Sequence, residues 1–185
     1  MIKKILFYFC ILFKKSIILR NLAFKLNSVE LLCREGAQIG SNCRWMSQCY
    51  CSEPFLLTIG NNVSVGLGVQ LITHEGGVWV LRHMTKNHKL EKFGRVVIGN
   101  NVFLGNNAIV FPNVTIGDNV IVGAGSLVIK DIPSGSVVAG QPAKKIKDID
   151  DYINSTISSC ISSRGLPPIE RRRLIFENLQ LSEKL

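Results

Sequence analysis

The sequence predicts an all-β fold in which short strands wind into a triangular prism of stacked coils, with one helix before the prism and one after it. Two observations predict this fold. The first is that aliphatic residues recur at every sixth position between residues 98 and 128, and most of them are followed by glycine. They are Ile98, Leu104, Val110, Ile116, Val122 and Val128. A strict period of six fits neither the period of about 3.6 of an α-helix nor the alternation of a β-hairpin, and it is typical of repeat folds.

The second observation concerns the turns between these positions. Asn-Asn or Asp-Asn pairs fall where a triangular coil has to turn, at residues 61–62, 100–101, 106–107 and 118–119. Asn and Asp tolerate the left-handed backbone of tight turns. Three repeats therefore predict one triangular coil, and successive coils stack at a strand spacing of about 4.8 Å. Because each coil buries its apolar layer only against its neighbours, no coil is expected to be stable alone.

Residues 1–35 are predicted to form a basic, hydrophobic helical segment. Its apolar run covers residues 5–13, which is too short to span a bilayer, and no small-residue cleavage site follows it. We therefore expect a cytoplasmic protein. Basic residues flank the run: Lys3, Lys4, Lys14, Lys15 and Arg20. Three interpretations stay open: an interfacial helix on the anionic inner face of the cytoplasmic membrane, a helix that packs on the prism or on a neighbouring subunit, and a signal-anchor.

The repeat domain is predicted over residues 36–147. It begins with Ile39-Gly40, and a slip of two residues around positions 52–57 interrupts the register before the repeat resumes at Ile59-Gly60. Residues 77–97 show no sixfold spacing, so they are predicted to be a loop insertion. A loop of this length inside a compact domain is usually functional, and insertions in repeat proteins map to one face, often the binding face.

The end of the repeat, VTIGDNVIVGAGSLVIKDIPSGSVVAGQPAK, resembles the terminal coils of the hexapeptide-repeat acyltransferases, which include the maltose, galactoside and serine acetyltransferases. The resemblance covers about residues 36–147. It implies a left-handed parallel β-helix, acetyl-CoA as the acyl donor, and a homotrimer with active sites between subunits. The segment ITHEGGVWVLR is similar to the sugar O-acetyltransferases of O-antigen, capsule and exopolysaccharide biosynthesis, so the resemblance also implies a sugar hydroxyl as acceptor.

His74 is the predicted catalytic residue. It lies between the end of a coil and the loop insertion, at the position where the family has its general base. Histidine suits this role because a neutral imidazole can take the proton of the attacking hydroxyl near physiological pH. Glu75, Trp79 and Arg82 are predicted to contact the acceptor. The group that orients the imidazole stays open among Glu30, Glu35 and Glu53.

The resemblance also implies the residues that bind CoA. The pantetheine arm is expected between two adjacent prisms, near Asn106 and Ala124 and close to Phe103. Lys144 and Lys147 match the basic positions that meet the CoA phosphates in the family. A net charge of +9 is consistent with an anionic partner, and since no nucleic-acid-binding motif is present, nucleic acid is not predicted as that partner.

Metal and redox sites are not predicted. His83 and His88, together with His74, supply three imidazoles that could bind zinc, but His83 and His88 lie in the non-repeating loop rather than on successive coils. The six cysteines include no second pair at zinc-finger spacing. They are therefore expected to be reduced and buried.

Residues 148–185 are predicted to be a C-terminal extension with a short amphipathic helix after Pro167-Pro168. Helices are expected only at the two ends of the chain. The predicted function is an acetyl-CoA-dependent O-acetyltransferase acting on a cell-surface polysaccharide or its precursor. Two alternatives stay open: an N-acetyltransferase of a nucleotide-linked amino sugar, and a non-catalytic β-helix scaffold. The identity of the acceptor sugar and the acyl-chain preference are not encoded in any motif.

Overall fold

A computed structural model describes residues 5, 6, 8, 22, 27–46 and 51–181. The lysine pairs of the predicted N-terminal segment, and also Cys10 and Cys49, lie outside the described residues. Helix α1 (Ser28–Arg34) precedes the prism, and the side chain of Asn27 caps it by accepting a hydrogen bond from the backbone N–H of Glu30 at 3.2 Å. The described helices include none that is both long and apolar enough to cross a membrane.

The described residues form thirteen short strands in three sheets. Sheet 1 has the order β1-β3-β6-β9, sheet 2 the order β2-β4-β7-β10-β12-β13, and sheet 3 the order β5-β8-β11. From β3 to β11, consecutive strands belong to successive sheets, so the chain visits all three faces of a triangular prism in turn. The strands are β1 (Gln38–Ile39), β2 (Arg44–Trp45), β3 (Leu57–Ile59), β4 (Ser64–Val65), β5 (Gln70–Leu71), β6 (Val96–Ile98), β7 (Val102–Leu104), β8 (Ile109–Val110), β9 (Thr115–Ile116), β10 (Val120–Val122), β11 (Leu127–Val128), β12 (Ser136–Ala139) and β13 (Lys144–Asp148).

The strand register gives the length of each coil. Ile98 pairs with Ile116, and Val102 pairs with Val120, so a regular coil takes eighteen residues, or three repeats. The first coil takes twenty, because Gln38 pairs with Thr58. Its two extra residues correspond to the predicted slip, and a short 3₁₀ turn (Pro54–Leu56) lies in this part of the coil. The pairs between strands are parallel, except that β13 pairs antiparallel with β12.

The core is a stack of aliphatic layers inside the prism. The residues of the sixfold series are at most 1% exposed, and the residues four positions after them are also buried. Burial of this apolar surface is the main favourable contribution to folding. The layers of the second, third and fourth coils are Ile59, Val65 and Leu71, then Ile98, Leu104 and Val110, then Ile116, Val122 and Val128.

Two columns of polar residues run along one corner of the prism. In the first, each side chain hydrogen-bonds to the coil beside it, for example Asn100 Nδ2 to Asp118 Oδ1 at 3.0 Å. Its members are Ser41, Asn61, Asn100, Asp118 and Ser134. In the second, asparagines adopt left-handed backbone, with φ between 55° and 57°; its members are Asn42, Asn62, Asn101 and Asn119. The predicted corners are therefore confirmed.

Gly105 shows why glycine follows the inward residue. A Cβ atom built on Gly105 would lie 2.5 Å from the backbone nitrogen of Ala124 in the next coil. Side chains cannot be accommodated at such distances unless the coils move apart. Glycine therefore permits the close stacking of coils at this corner.

The loop insertion contains a helix, α2 (Val78–Met84), so the expectation that helices occur only at the chain ends was wrong. The segment VWVLRHM has no residue that breaks a helix, and it follows the Gly76-Gly77 pair. The expectation of buried cysteines was also wrong in part. Cys51 is buried, whereas Cys33 and Cys160 are exposed because they lie on the outward side of α1 and after a C-terminal 3₁₀ turn (Ile157–Ser159).

The chain divides into two compact units, Met1–Ile149 and Asp150–Leu185. The second unit contains most of α3 (Ile149–Thr156) and all of α4 (Pro168–Asn178), which begins at a proline. Helix α4 has no buried residue, and its half-buried side chains at 174–176 are consecutive. The predicted amphipathic character of this helix stays a prediction.

Candidate active site

His74 lies at the corner where the chain leaves β5 and enters the loop insertion. The end of that loop returns to the same place and forms an antiparallel bridge between His74 and Phe93. Two backbone hydrogen bonds of 2.8 Å flank the bridge, from Gly94 N–H to the Thr73 carbonyl and from Glu75 N–H to the Lys92 carbonyl. Both ends of the loop are therefore fixed at the histidine.

The carboxylate of Glu53 orients the imidazole of His74. The Glu53 Oε2 atom lies 3.1 Å from His74 Nδ1. The His74 side chain is 48% exposed, whereas that of Glu53 is 17% exposed. Because a carboxylate accepts hydrogen bonds, the neutral imidazole carries its proton on Nδ1 and its lone pair on Nε2. The sequence left the orienting group open among three glutamates, and the structure identifies it as Glu53.

Two buried side chains support Glu53 from the interior. The hydroxyl of Thr73, which is 1% exposed, donates a hydrogen bond to the same Oε2 atom at 2.6 Å. The sulfur of Cys51 lies 3.3 Å from the Thr73 hydroxyl. Burial raises the pKa of the Cys51 thiol, so the sulfur keeps its proton at neutral pH.

A cavity of about 340 Å³ opens in front of His74. It contains the predicted acceptor residues Glu75, Trp79 and Arg82 in its wall, and Trp79 is 65% exposed. The returning end of the loop adds residues that sequence reasoning missed, namely Glu91, Lys92 and Phe93. The sequence gives no signal for these three residues beyond their place near the end of the non-repeating loop.

Helix α2 is held against the returning loop by Arg82, whose Nε–H donates to the Leu90 carbonyl at 2.7 Å. His83 makes an edge contact with Trp79, with ring centroids 5.3 Å apart, and His88 makes one with His83 at 5.8 Å. His83 and His88 do not line the cavity. Within the part of the chain that the structure describes, no three His, Cys, Asp or Glu side chains are close enough together to bind a metal ion.

The residues predicted to bind CoA lie elsewhere on the prism, on the face of sheet 2 and at the corner between sheets 2 and 3. Phe103 and Lys147 belong to one outward row across sheet 2, in which Phe103 pairs with Ile121, Ile121 with Val137, and Val137 with Lys147. Lys144 pairs with Ala139 on the same strand pair. These side chains are exposed or half-buried and can reach a ligand.

Asn106 and Ala124 lie on the corner between sheets 2 and 3. Their coils are joined there by a hydrogen bond from Gly125 N–H to the Asn106 carbonyl at 2.8 Å. A Cβ atom at Gly125 would meet nothing within 4 Å, so the backbone is open to a ligand at this point. His74 lies on the corner between sheets 3 and 1. A single chain therefore does not bring the histidine and the predicted CoA residues together.

The family model described as bacterial transferase hexapeptide (six repeats) matches residues 95–130. Protein CapG of Staphylococcus aureus is 46% identical over 140 residues, which are 74% of this chain and 80% of CapG. The chain belongs to the bacterial hexapeptide-repeat transferase family. As a member of this family, the protein is a transferase. Its fold is the left-handed parallel β-helix that the sequence resemblance implied.

Two further members of the family are named by activity. The galactoside O-acetyltransferase of Escherichia coli K12 is 41% identical over 99 residues, which are 54% of this chain and 47% of that protein. The chain thus spans about half the length of that relative. A solved galactoside acetyltransferase in complex with coenzyme A superposes with a TM-score of 0.54 and 26% identity, covering 82% of this chain and 81% of that one.

Proposed function

We propose that this hexapeptide-repeat transferase is an acetyl-CoA-dependent O-acetyltransferase, which acetylates a sugar hydroxyl of a cell-surface polysaccharide or its precursor. The observation that carries the proposal is the contact of 3.1 Å between Glu53 and His74 at the wall of the cavity. It is the arrangement that a histidine general base requires. The acetyltransferase names of the relatives and the coenzyme A complex support the acyl donor.

In the proposed reaction, Nε2 of His74 takes the proton of the acceptor hydroxyl while the hydroxyl oxygen attacks the thioester carbonyl. The C–O bond of the ester forms, and the C–S bond of acetyl-CoA breaks. The imidazolium then returns the proton to the leaving sulfur, which gives an O-acetyl sugar and free CoA. Glu53 stabilises the imidazolium that forms during the transfer, since its carboxylate is the nearest negative charge to Nδ1.

The cavity wall supports a sugar as the acceptor. Trp79 and Phe93 are 65% and 46% exposed, so their rings offer flat apolar faces to a pyranose ring. Charged side chains that can hydrogen-bond sugar hydroxyls surround them, namely Glu75, Arg82, Glu91 and Lys92. A mixture of exposed aromatic rings and charged hydrogen-bonding groups fits a polyhydroxylated ring better than it fits a purely apolar acceptor.

The edge between sheets 2 and 3 supports the site for CoA. The open backbone at Gly125 admits the pantetheine arm near Asn106 and Ala124. Lys144 and Lys147 are the cations proposed to meet the phosphates, and Phe103 lies in the same outward row as Lys147. His74 and the bound CoA lie at different corners of one chain. They form one site only if His74 comes from one copy of the chain and the CoA residues come from another.

Sheet 3 supports this self-association, and we propose a homotrimer. The sheet lies between the corner with His74 and the corner with Ala124, and its outward residues are apolar apart from Gln70. They are Ile72, Ile109, Leu127 and Ile129. Packing such a face against a neighbouring subunit removes apolar surface from water. A closed ring of three copies would then join each histidine to a CoA edge of its neighbour.

The proposed location is the cytoplasm, where acetyl-CoA is made. The basic, apolar composition of residues 1–20 supports peripheral contact with the anionic inner face of the membrane, and a lipid-linked acceptor would be found there. Packing of this segment on the prism is the alternative.

The test is an acetylation assay with purified protein, acetyl-CoA and a panel of nucleotide-linked sugars, lipid-linked sugars and de-O-acetylated polysaccharides. Released CoA is measured by chromatography rather than by a thiol reagent, because Cys33 and Cys160 are exposed and would react. We expect a product with a base-labile acetyl ester. A base-stable amide product would support the amino-sugar N-acetyltransferase instead. Absence of CoA binding would overturn the proposal in favour of a scaffold.

A further inference from the structure

We infer that Thr73 and Cys51 are positioning residues for the proposed base: a buried chain of hydrogen bonds runs from Cys51 through Thr73 to Glu53 and fixes the carboxylate against His74. This inference rests on the proposed function for its effect on turnover. Its structural part concerns the free protein and can be tested without any acceptor.

Donor and acceptor can be assigned at each hydrogen bond between Cys51, Thr73 and Glu53, because the Thr73 hydroxyl has a single proton. The Thr73 hydroxyl has one proton, and it donates this proton to Glu53 Oε2 at 2.6 Å. In its contact of 3.3 Å with Cys51, the hydroxyl oxygen must therefore accept, and the thiol must donate. Cys51 is 3% exposed and Thr73 is 1% exposed, so water does not compete for either contact.

Glu53 needs such an anchor because its other hydrogen-bonding partner is more exposed to solvent. Among the described residues, the Oε2 atom accepts from one further side chain, the imidazole of His74, which is 48% exposed. A glutamate side chain has three rotatable bonds and loses considerable rotamer freedom when it is fixed. The buried hydroxyl ties the carboxylate to the wall of the prism, so that the imidazole meets a group that is already in place.

Thr73 is itself rigid. Its carbonyl accepts the hydrogen bond from Gly94 N–H at 2.8 Å, and its side chain is enclosed at the corner of sheet 3. Glu53 precedes Thr73 by 20 residues, the same offset that relates paired strands of the first and second coils. The two residues therefore stack in adjacent coils, and the stacking of the prism itself determines the position of the carboxylate.

Two substitutions of Thr73 separate its hydroxyl from its shape. Thr73→Val keeps the branched shape but removes the hydroxyl, and Thr73→Ser keeps the hydroxyl. We expect kcat to fall about tenfold in Thr73→Val, with the KM for acetyl-CoA unchanged, and to stay within about threefold of wild type in Thr73→Ser. Thermal unfolding of both variants checks that they fold. For Cys51, we expect Cys51→Ser to keep the activity and Cys51→Ala to lose a smaller part of it than Thr73→Val.

A double-mutant cycle with Glu53→Gln tests whether Thr73 acts through the carboxylate. If it does, Thr73→Val should lower kcat by less than about twofold in the Glu53→Gln background, because the effects of coupled residues are not additive. An undiminished tenfold loss in that background, or wild-type activity of Thr73→Val, would overturn the inference.

A measurement on the free protein keeps the inference separate from the proposed function. The chain has three histidines, so the ¹⁵N and ¹H resonances of the His74 ring can be assigned by comparison with His74→Ala. We expect a protected Nδ1–H proton in wild type and in Thr73→Ser, and its loss through solvent exchange in Thr73→Val. Equal protection in wild type and Thr73→Val would refute the positioning role, whatever the activity assay gives. If the expected pattern appears but no acceptor is acetylated, the proposed function fails alone.

Discussion

Glu53 and His74 are 21 residues apart in the sequence, and the Oε2 atom of one lies 3.1 Å from Nδ1 of the other. Their contact depends on the length of the first coil, which takes twenty residues instead of eighteen. The 3₁₀ turn Pro54–Leu56 begins directly after Glu53 and lies in the coil that holds the two extra residues. A coil of irregular length thus supplies the carboxylate.

Replacement of His74 by Ala should lower kcat by at least about a hundredfold, because the acceptor hydroxyl loses its proposed general base. The affinity for CoA should be unchanged, since the residues proposed to bind CoA lie on sheet 2 and at its corner with sheet 3, away from His74. Steady-state kinetics and calorimetry check the two expectations. His88→Ala is the matched control, because the His88 ring makes an edge contact with the His83 ring and His88 does not line the cavity. Equal turnover of wild type and His74→Ala would refute the mechanism.

Replacement of Trp79 by Ala should raise the KM for the acceptor about fivefold, with little change in kcat, because a ring that stacks on the sugar contributes to binding rather than to proton transfer. Initial rates at varied acceptor concentration measure this change. Met84→Ala is the control on the same helix, since Met84 is 76% exposed and does not line the cavity. A similar rise in KM for both variants would point to a general disturbance of α2.

Replacement of Lys147 by Gln should weaken CoA binding about fivefold, the effect of one exposed ion pair. Binding of dephospho-CoA should not change if the lysine meets the 3′-phosphate. Titration calorimetry with both ligands makes the comparison, and Lys144→Gln is tested in the same way. Lys145→Gln is the control on the same strand, because its Nζ atom already pairs with Asp148 at 2.6 Å. An equal loss of affinity for CoA and dephospho-CoA would mean that the lysine does not contact the 3′-phosphate.

Replacement of Gly105 by Ala should destabilise the prism by about 1–3 kcal/mol, because the new Cβ would lie 2.5 Å from Ala124 N. The melting temperature should fall by several degrees, as circular dichroism can record. Gly76→Ala is the control, since a Cβ at Gly76 would meet nothing within 4 Å. Equal melting temperatures for the two variants would mean that the coils separate at little cost.

The stability of the prism should depend on Cys51 at alkaline pH. Burial raises the pKa of this thiol above its ordinary value of 9.0, so above about pH 9 the unfolded chain loses the proton before the folded chain does. The contribution of Cys51 to the free energy of unfolding is therefore complete below pH 9. It is lost as the pH rises through the pKa of the folded state, and the free energy of unfolding then falls by at most about 1.4 kcal/mol per pH unit. Urea unfolding followed by the fluorescence of Trp45 and Trp79 measures it. Cys51→Ala should show a shallower decline, and parallel declines would contradict the argument.

The repeats could be predicted because every coil meets the same requirement. An aliphatic residue must fill each layer, a residue without Cβ must follow it at positions such as Gly105, and left-handed corners such as Asn101 favour asparagine. These demands are local and periodic. His74 could be predicted from the resemblance because it directly follows the last residues of a coil.

The partners of His74 could not be predicted, because they depend on offsets between distant segments. The choice of Glu53 over Glu30 and Glu35 required the length of the first coil. Phe93 reaches the histidine through a single antiparallel bridge, which leaves no periodic pattern in the sequence. Helix α2 was missed because seven residues are too few to show a helical period against the background of an irregular loop.

The antiparallel strand β13 has a consequence for how copies of the protein meet. A stack of parallel coils offers a free edge at each end, and two such edges could join to extend the stack into a fibre. At one end, β13 reverses the direction of sheet 2 and brings Lys144, Lys145 and Lys147 to the outermost strand. A second copy that approached this edge would meet like charges. We therefore expect the lysines of this strand to disfavour end-to-end joining of two copies through sheet 2.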